Sequence, residues 1–339
     1  MAVESNYPLS APGSGESARL AALASPPSAN GPRMGSLDRL TIGYIVIASV
    51  VLIAHFLGWR GANATQQEIL WLLAAHVMVI ALAILAPIAR SQARTHSFLG
   101  EWYPAIVMGG LYSTIGLLNS GSGDIGIFDF YVQRWEQAVF GRQMAYDWIR
   151  LMPWPWLSWL LHLCYLSYYV LIIAAPLAFW FTQKRGEARE AIFASSLCFF
   201  ICYVVFLVFP TAGPPYFWGF TDNPATQIWA ARMVHHVIAL GDAYGSAFPS
   251  SHVAVSVVAT FFAFRGSRRL GWVLLVPTIG IFLAVVYCQI HYGVDALAGA
   301  AVGLGVCLLT PHVRDGRDLR RVQGRACQGS PLATPGQTG

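Results

Sequence analysis

Eight apolar runs constrain this chain more than any other feature of its sequence. An apolar run of about 20 residues is long enough to cross the hydrocarbon core of a bilayer as a helix. Only 11% of the residues are charged, against about a quarter in soluble domains. The sequence therefore predicts an all-α, polytopic membrane bundle of about eight transmembrane helices. The runs occupy, approximately, residues 40–58, 69–89, 103–118, 157–182, 191–209, 251–265, 271–290 and 292–310.

The two ends of the chain differ from its middle. Residues 1–38 are rich in Ser, Pro, Gly and Ala, and residues 311–339 form a polar stretch with five arginines in its first half. Neither holds an apolar run long enough to be buried, so we expect two disordered tails. They flank a predicted transmembrane catalytic domain at 39–310. The six cysteines have no zinc-binding or CxxC spacing and are predicted to be structural thiols.

Lys and Arg are distributed unevenly between the two sides of the predicted bundle. With the N-terminal tail inside, 16 of the 21 basic residues fall in inner segments. Cytoplasmic loops carry an excess of Lys and Arg. We therefore expect both termini in the cytoplasm and the long segments 119–156 and 210–250 on the outer side.

The outer segment 119–156 contains a predicted amphipathic helix. Tyr131 and Trp135 belong to its apolar face, and Asp129 and Glu136 lie largely on the other face. A helix of this kind lies in the plane of the membrane interface. It would serve either as an anchor for the fourth span or as a roof over a lipid-binding cleft.

Asp295 is the only one of the 16 acidic residues that lies inside a predicted span. An ionisable residue within the membrane is costly and by default marks function. It follows His291 by four residues, so both side chains share one helix face, and the carboxylate is predicted to hydrogen-bond one imidazole nitrogen and orient the ring. A His–Asp pair that only holds helices together is the alternative for such a short pattern.

A second histidine motif, Phe248-Pro249-Ser250-Ser251-His252, precedes the sixth span. Ser250 or Ser251 can cap the helix that begins there. The sixth and eighth spans both start on the outer side. Their N-termini, with free backbone N–H groups, are therefore predicted to converge on a phosphate site. Ordinary helix capping is the alternative for the serines alone. Gly299 and Gly303 in the eighth span predict close helix packing.

These motifs carry a resemblance to a known family. FPSSH, followed about 40 residues later by VYCQIHYGVDALAG, resembles the type 2 phosphatidic acid phosphatase superfamily over residues 205–310. The PTAGPPYF and FDFYVQRWEQAVFG segments resemble its inositol phosphorylceramide synthase branch, which is inositolphosphotransferase-like. The lysine–arginine motif of the superfamily is absent, however, and Ala284 and Val285 stand where its third motif begins Ser-Arg. These departures argue against a vanadium haloperoxidase.

The resemblance implies a metal-independent enzyme without a cofactor. It makes His291 a nucleophile that forms a phosphohistidine, Asp295 its orienting partner, and His252 the general acid and base. Ser250 and Ser251 would bind phosphate oxygens. Arg134 or Arg232 would supply the missing positive charge.

The leading prediction is a lipid phosphatase or phosphotransferase acting at the outer membrane face, with a slight preference for headgroup transfer. The partners expected are a membrane lipid substrate and an alcohol or lipid acceptor, and no nucleic acid. A simple lipid-phosphate or polyprenyl-pyrophosphate phosphatase is the alternative within this class. A proton-coupled transporter is the alternative from another class, but the internal repeats that it predicts are not visible in the sequence.

Overall fold

The computed structural model describes residues 34–58, 65–92, 98–119 and 128–313. These residues are helical, with no strand beyond one isolated bridge between Thr211 and Ser246. The predicted tails at 1–33 and 314–339 lie outside the described residues. In chain order the helices are α1 Ser36–Phe56, α2 Gln66–Gln92, α3 Phe98–Asn119, α4 Asp129–Phe140, α5 Met144–Leu151, α6 Pro155–Phe181, α7 Arg185–Val208, α8 Pro214–Trp218, α9 Trp229–Gly241, α10 Ser251–Gly266, α11 Arg268–Tyr287 and α12 Gly293–Val313.

Every predicted span coincides with a helix. Six helices are long and apolar enough to cross a membrane, and they are α1, α2, α6, α7, α11 and α12. The chain is therefore a multi-pass membrane protein. Helix α10 is also apolar, but it is shorter than these six, with 16 residues. Helix α3, which carries Glu101 in its first turn, is not among them.

Several boundaries differ from the prediction. Helix α1 begins at Ser36, within the predicted N-terminal tail, and α12 continues to Val313, within the predicted C-terminal one. The predicted outer loop 210–250 contains α8 and α9. Gly35 and the Asp38 carboxylate form a helix start at α1, with the Gly35 N–H donating to Asp38 Oδ2 at 2.8 Å. This cap is a local polar signal that hydropathy does not register.

Helix α7 lies at the centre of the bundle. It packs against α1, α3, α6, α10 and α12, and most of its residues are buried. Helices α10 and α12 approach closely, as the glycines predict. A Cβ on Gly299 would lie 2.3 Å from the Ser250 carbonyl oxygen, and a Cβ on Gly303 would lie 2.5 Å from that of Ala254. Larger residues at either position would separate the two helices.

Because α10 is short, its first residues lie deeper in the bundle than the end of the neighbouring helix α6. At one end of the bundle, Lys184 just beyond α6 donates to the carbonyl oxygen of Gly266, the last residue of α10. At the other end, His252 lies beside Tyr165 of α6. Tyr165 is ten residues from the start of α6, which corresponds to about 15 Å of helix. His252 is therefore recessed below the end of α6 rather than level with it.

Candidate active site

Two histidines from separate parts of the chain meet at the start of α10. His252 is the second residue of α10, and His291 lies in the short connection between α11 and α12. His252 Nδ1 is 3.2 Å from His291 Nε2. His291 is buried, whereas His252 is half-buried. The structure thus brings together the two histidines that the sequence analysis singled out.

The other nitrogen of His291 is held by the backbone. His291 Nδ1 lies 2.8 Å from the carbonyl oxygen of Ala247. Because a carbonyl oxygen can only accept, Nδ1 carries the hydrogen and Nε2 keeps its lone pair. That lone pair faces His252. Burial lowers the pKa of His291 to about 4, so its imidazole is neutral at neutral pH.

Asp295 does not make the predicted hydrogen bond to His291. Its Oδ2 atom is 3.6 Å from His291 Nδ1, beyond hydrogen-bond distance. The same oxygen accepts the N–H of Tyr292 at 2.8 Å. The prediction was wrong on this contact because spacing along a helix does not account for the loop before α10, whose Ala247 carbonyl reaches the ring first. The carboxylate still lies close enough to attract a cationic imidazole.

His252 is held on its far side by two tyrosines of α6. The Tyr165 hydroxyl lies 3.0 Å from His252 Nε2. The ring of Tyr168 packs on the imidazole, with centroids 4.4 Å apart. A hydroxyl can donate or accept, so Tyr165 can serve both the neutral and the protonated imidazole. The contact with the tilted Tyr168 ring and the hydrogen bond with Tyr165 together fix where His252 Nδ1 points.

The two serines of the motif have different positions. Ser250 is fully buried and caps α10, accepting from the N–H of Val253 at 3.5 Å. Its own N–H donates to the carbonyl of Asp295 at 3.0 Å, which links the starts of α10 and α12. Ser251 lines the cavity described below. Ser251 is therefore better placed than Ser250 to contact a bound group.

The N–H groups at the start of α12 are already occupied. Glu136 of α4 accepts from Gly293 and Val294 at 3.0 and 2.9 Å. Asp129 of the same helix accepts from the Tyr292 hydroxyl at 2.9 Å. Burial raises the pKa of both carboxyl groups, and the N–H donors oppose that rise. The predicted pair of free helix N-termini is thus reduced to one, that of α10.

Helix α4 is amphipathic, but its two acidic residues point inward. Asp129 and Glu136 are fully buried, whereas Tyr131 and Trp135 on the apolar face are 50% and 44% exposed. Trp135 lies against Phe248 of the histidine motif, with ring centroids 5.6 Å apart. The helix therefore covers the start of α12 and turns its aromatic side outward, and none of its residues lines the cavity described below.

The two arginines predicted to bind phosphate are not brought to the histidine pair. Arg134 is exposed on α4, with its guanidinium 5.5 Å from the ring of Phe130. Arg232 is exposed on α9. Arg134 is on the outward side of α4 because the inward side is taken by Asp129 and Glu136. The prediction for these arginines depended only on their assignment to the outer side of the membrane, and that assignment does not fix the direction in which a side chain points.

A cavity of about 410 Å³ opens beside His252 and runs down the bundle between α3, α6 and α7. Its upper wall contains Ser251, His252 and Asp242, and its lower wall is apolar, with Trp102, Pro176 and Ile192. Tyr165 and Pro176 are 11 residues apart on α6, which corresponds to about 16 Å. The cavity thus connects a polar end at the histidine with an apolar end deep between the helices.

The sequence analysis missed several groups around the histidines. Tyr165 and Tyr168 lie inside an apolar span, where tyrosine gives no distinct signal. Asp242 was not singled out, although it is an acid eight residues before Ser250 in a long outer segment. Within the described residues, no group of three or more His, Cys, Asp or Glu side chains could hold a metal ion.

Comparison with known proteins agrees with these motifs. A family model described as the PAP2 superfamily matches residues 131–309, which is more than half of the 339-residue chain. No curated protein and no solved structure matches the chain. The matched region contains α5 to α11 and both histidines. The chain belongs to the PAP2 superfamily and is a phosphatase-type membrane enzyme.

Proposed function

We propose that this protein cleaves a phosphoester of a membrane lipid through a phosphohistidine on His291 and passes the phosphoryl-type group to water or an alcohol. The observation that carries the proposal is the hydrogen bond from His291 Nδ1 to the Ala247 carbonyl. It leaves the Nε2 lone pair directed at a second histidine. A neutral, oriented imidazole beside a proton donor meets the requirements of nucleophilic catalysis.

In the first step, His291 Nε2 attacks phosphorus and a P–N bond forms as the ester P–O bond breaks. His252 is an imidazolium when the phosphate is bound, because the anion stabilises the charge. Its Nδ1–H protonates the leaving alkoxide, and its Nε2–H donates to Tyr165. In the second step, neutral His252 takes a proton from the acceptor hydroxyl. The oxygen then attacks phosphorus, the P–N bond breaks and His291 is restored.

The positive charge that develops on phosphorylated His291 is balanced by groups already beside it. The Ala247 carbonyl accepts the Nδ1–H at 2.8 Å, and the Asp295 carboxylate lies 3.6 Å away. Asp295 Oδ1 is buried with no hydrogen-bond partner in the part of the chain that the structure describes. Burying a carboxylate without a partner costs free energy. That cost is offset when the neighbouring His291 ring becomes cationic and attracts the carboxylate. We assign Asp295 this electrostatic role.

The non-bridging phosphate oxygens have donors at the start of α10. The N–H groups of Ser251 and His252 have no acceptor among the described residues, as is usual for the first N–H groups of a helix. The Ser251 hydroxyl lines the same cavity. Preorganised donors of this kind stabilise charge that develops in the transition state.

The shape of the cavity supports a lipid as the substrate. The apolar part could hold one hydrocarbon chain, and its length of about 16 Å is about half the thickness of the hydrocarbon core. We also propose that the catalytic end faces away from the cytoplasm. Arg185, Arg189 and Arg265 lie at the opposite end of the bundle, as the positive-inside rule requires.

The test is a turnover assay on the purified protein in detergent. Lipid monophosphates and phospholipids with a radiolabelled phosphorus are supplied with and without an alcohol acceptor. We expect an acid-labile, base-stable label on the wild-type protein and none on His291→Ala. His236→Ala, which alters an exposed histidine, is the matched control and should retain activity. Equal turnover by wild type and His291→Ala would contradict the proposal.

The products of the same assay separate hydrolase from transferase. Release of labelled phosphate or a phospho-headgroup into water, unaffected by the alcohol, would identify a phosphatase. Label in a new phosphodiester would identify the headgroup transferase that we slightly prefer. A phosphatase result would leave the phosphohistidine mechanism intact, since only the acceptor differs.

A further inference from the structure

Asp242 occupies the polar end of the cavity and takes no chemical step in the mechanism above, although it acts electrostatically on His291. It follows the last residue of α9 and lines the cavity together with His252. Both of its oxygens accept from tyrosines, Oδ1 from Tyr112 at 3.1 Å and Oδ2 from Tyr216 at 3.3 Å. Burial raises the pKa of its carboxyl group, and the neighbouring His291 ring and the two tyrosine hydroxyls oppose that rise. A carboxyl group, whose ionised form a neighbouring cation would favour, is thus held at the polar end of the cavity.

Aromatic rings surround this carboxylate. Tyr112, Tyr165, Tyr168 and Tyr169 line the same cavity. The hydroxyl of Tyr112 is anchored by Ser246 Oγ at 2.8 Å and by the N–H of Ala243 at 3.3 Å. Tyrosine rings close to a carboxylate form the surroundings in which proteins bind quaternary and primary ammonium groups.

The charges near the histidines also favour a positively charged headgroup. Among the described residues, the cavity wall contains one carboxylate and no Lys or Arg. Asp295 adds a second carboxylate behind His291. A phosphate monoester, with a charge of about −1.5 to −2 at pH 7, would meet repulsion here. A headgroup that brings its own positive charge would not.

We propose that Asp242 and the tyrosines around it bind the ammonium group of the substrate headgroup, so that the enzyme acts on amine-bearing lipid phosphodiesters. This inference rests on the proposed function and names its substrate class. The ammonium would lie beside Asp242 while the phosphorus lies between His291 and His252 and a hydrocarbon chain occupies the apolar part of the cavity. Asp242 would be a specificity residue rather than a catalytic one.

Binding can be tested without turnover in the His291→Ala protein. Short-chain phosphatidylcholine and phosphatidylethanolamine are compared with phosphatidylglycerol of the same chain length by calorimetry. We expect the amine-bearing lipids to bind at least tenfold more tightly, and tetramethylammonium to compete with them. Adding Asp242→Asn should remove this preference, whereas Asp222→Asn, an exposed acid of the same segment, should preserve it. Equal binding of the three lipids to the His291→Ala protein that retains Asp242 would overturn the inference.

Turnover gives a second, independent measurement. Wild-type diacylglycerol release should be at least tenfold faster, in kcat/KM, from amine-bearing lipids than from phosphatidylglycerol. Asp242→Asn should remove that ratio, and the ratio rather than the absolute rate is the readout, because Asp242 also acts electrostatically on His291. A uniform loss for all lipids would show a structural role and overturn the inference. A preference for amine-bearing alcohols as acceptors, without any preference among the lipid donors, would also overturn the inference. Absence of turnover with every lipid would instead contradict the proposed function, and the binding result would then decide on Asp242.

Discussion

The helices α10 and α12 begin beside each other at the candidate active site, but their first turns are completed differently. Helix α10 is capped by its own Ser250. Helix α12 is capped by Glu136, which belongs to α4 and lies 157 positions before Gly293. The first N–H groups of α10 have no acceptor among the described residues, whereas those of α12 donate to Glu136 of α4. Two similar helix starts are therefore completed in different ways, one within its own segment and one by a distant helix.

The difference has a physical cause. The start of α12 carries His291 just before it, and in the proposed mechanism this residue is the nucleophile, which requires a fixed position within a fraction of an ångström. Glu136 accepts hydrogen bonds from two backbone N–H groups there and so fixes the backbone. The start of α10 carries His252, which is fixed by the Tyr165 hydroxyl and the Tyr168 ring instead. Its backbone is free to face the substrate.

The largest loss of activity is expected from a substitution at the start of α10. His252→Ala should lower kcat/KM by roughly 10² to 10⁴-fold, the range typical of a lost general acid. A donor with an activated leaving group, such as p-nitrophenyl, needs no acid and should regain most of the loss in the first step. Burst kinetics would measure this recovery. Equal losses for both kinds of donor would show that His252 does not protonate the leaving group.

Glu136→Gln tests whether the start of α12 depends on its cap. A hydrogen bond to a charged group contributes about 1.5 to 3 kcal/mol, so the loss of this carboxylate should lower kcat by about 10 to 100-fold as His291 loses its position. Thermal unfolding should show a lower Tm as well. Glu187→Gln, an exposed acid in the first turn of α7, is the matched control. Unchanged activity would mean that α12 holds its start without α4.

The pH dependence tests the environment of His291. Burial lowers its pKa to about 4, so the neutral nucleophile persists as the pH falls to 5 and is lost only near pH 4. At pH 5 about nine-tenths of such a group is neutral, against about 3% for an ordinary histidine. With a phosphodiester donor of constant charge, the acid limb of kcat/KM should lie near pH 4. An acid limb near pH 6.5 would contradict the burial of His291.

A smaller effect is expected at the hydroxyl that orients His252. Tyr165→Phe keeps the ring but removes the hydrogen bond to Nε2. A neutral hydrogen bond contributes about 1 kcal/mol, so kcat should fall about fivefold. Tyr168→Phe keeps the ring that packs on His252 and serves as the control. A larger loss in Tyr168→Phe than in Tyr165→Phe would contradict this assignment.

The smallest effects are expected at the two exposed arginines. Arg134→Ala and Arg232→Ala should each change kcat/KM by less than about twofold, because both side chains are exposed and exposed charges are screened by salt. Steady-state kinetics at low and physiological ionic strength would measure this. A loss above tenfold in either variant would show that the arginine reaches the phosphate in the substrate complex, as the sequence analysis expected.

The sequence carries the architecture of this protein because hydropathy is a local property. Eight apolar runs, the histidine motif at 248–252 and the His291–Asp295 spacing are each readable over a few residues. The same holds for Gly299 and Gly303, whose close packing the structure confirms. A transmembrane span, a helix cap and a glycine face for close helix packing each depend on residues that are neighbours along the chain or on one helix face.

The tertiary structure alone decided the partners of the polar groups. Nothing near His291 in sequence indicates that the Ala247 carbonyl, rather than Asp295, accepts its hydrogen. Likewise, the polar face of α4 suggests contact with water, yet Glu136 is fully buried against α12. A buried hydrogen bond needs its donor and acceptor in one geometry, and two segments that meet only after folding supply them. The sequence alone determined where the apolar spans run and which histidines to examine, and packing determined which polar groups hold them.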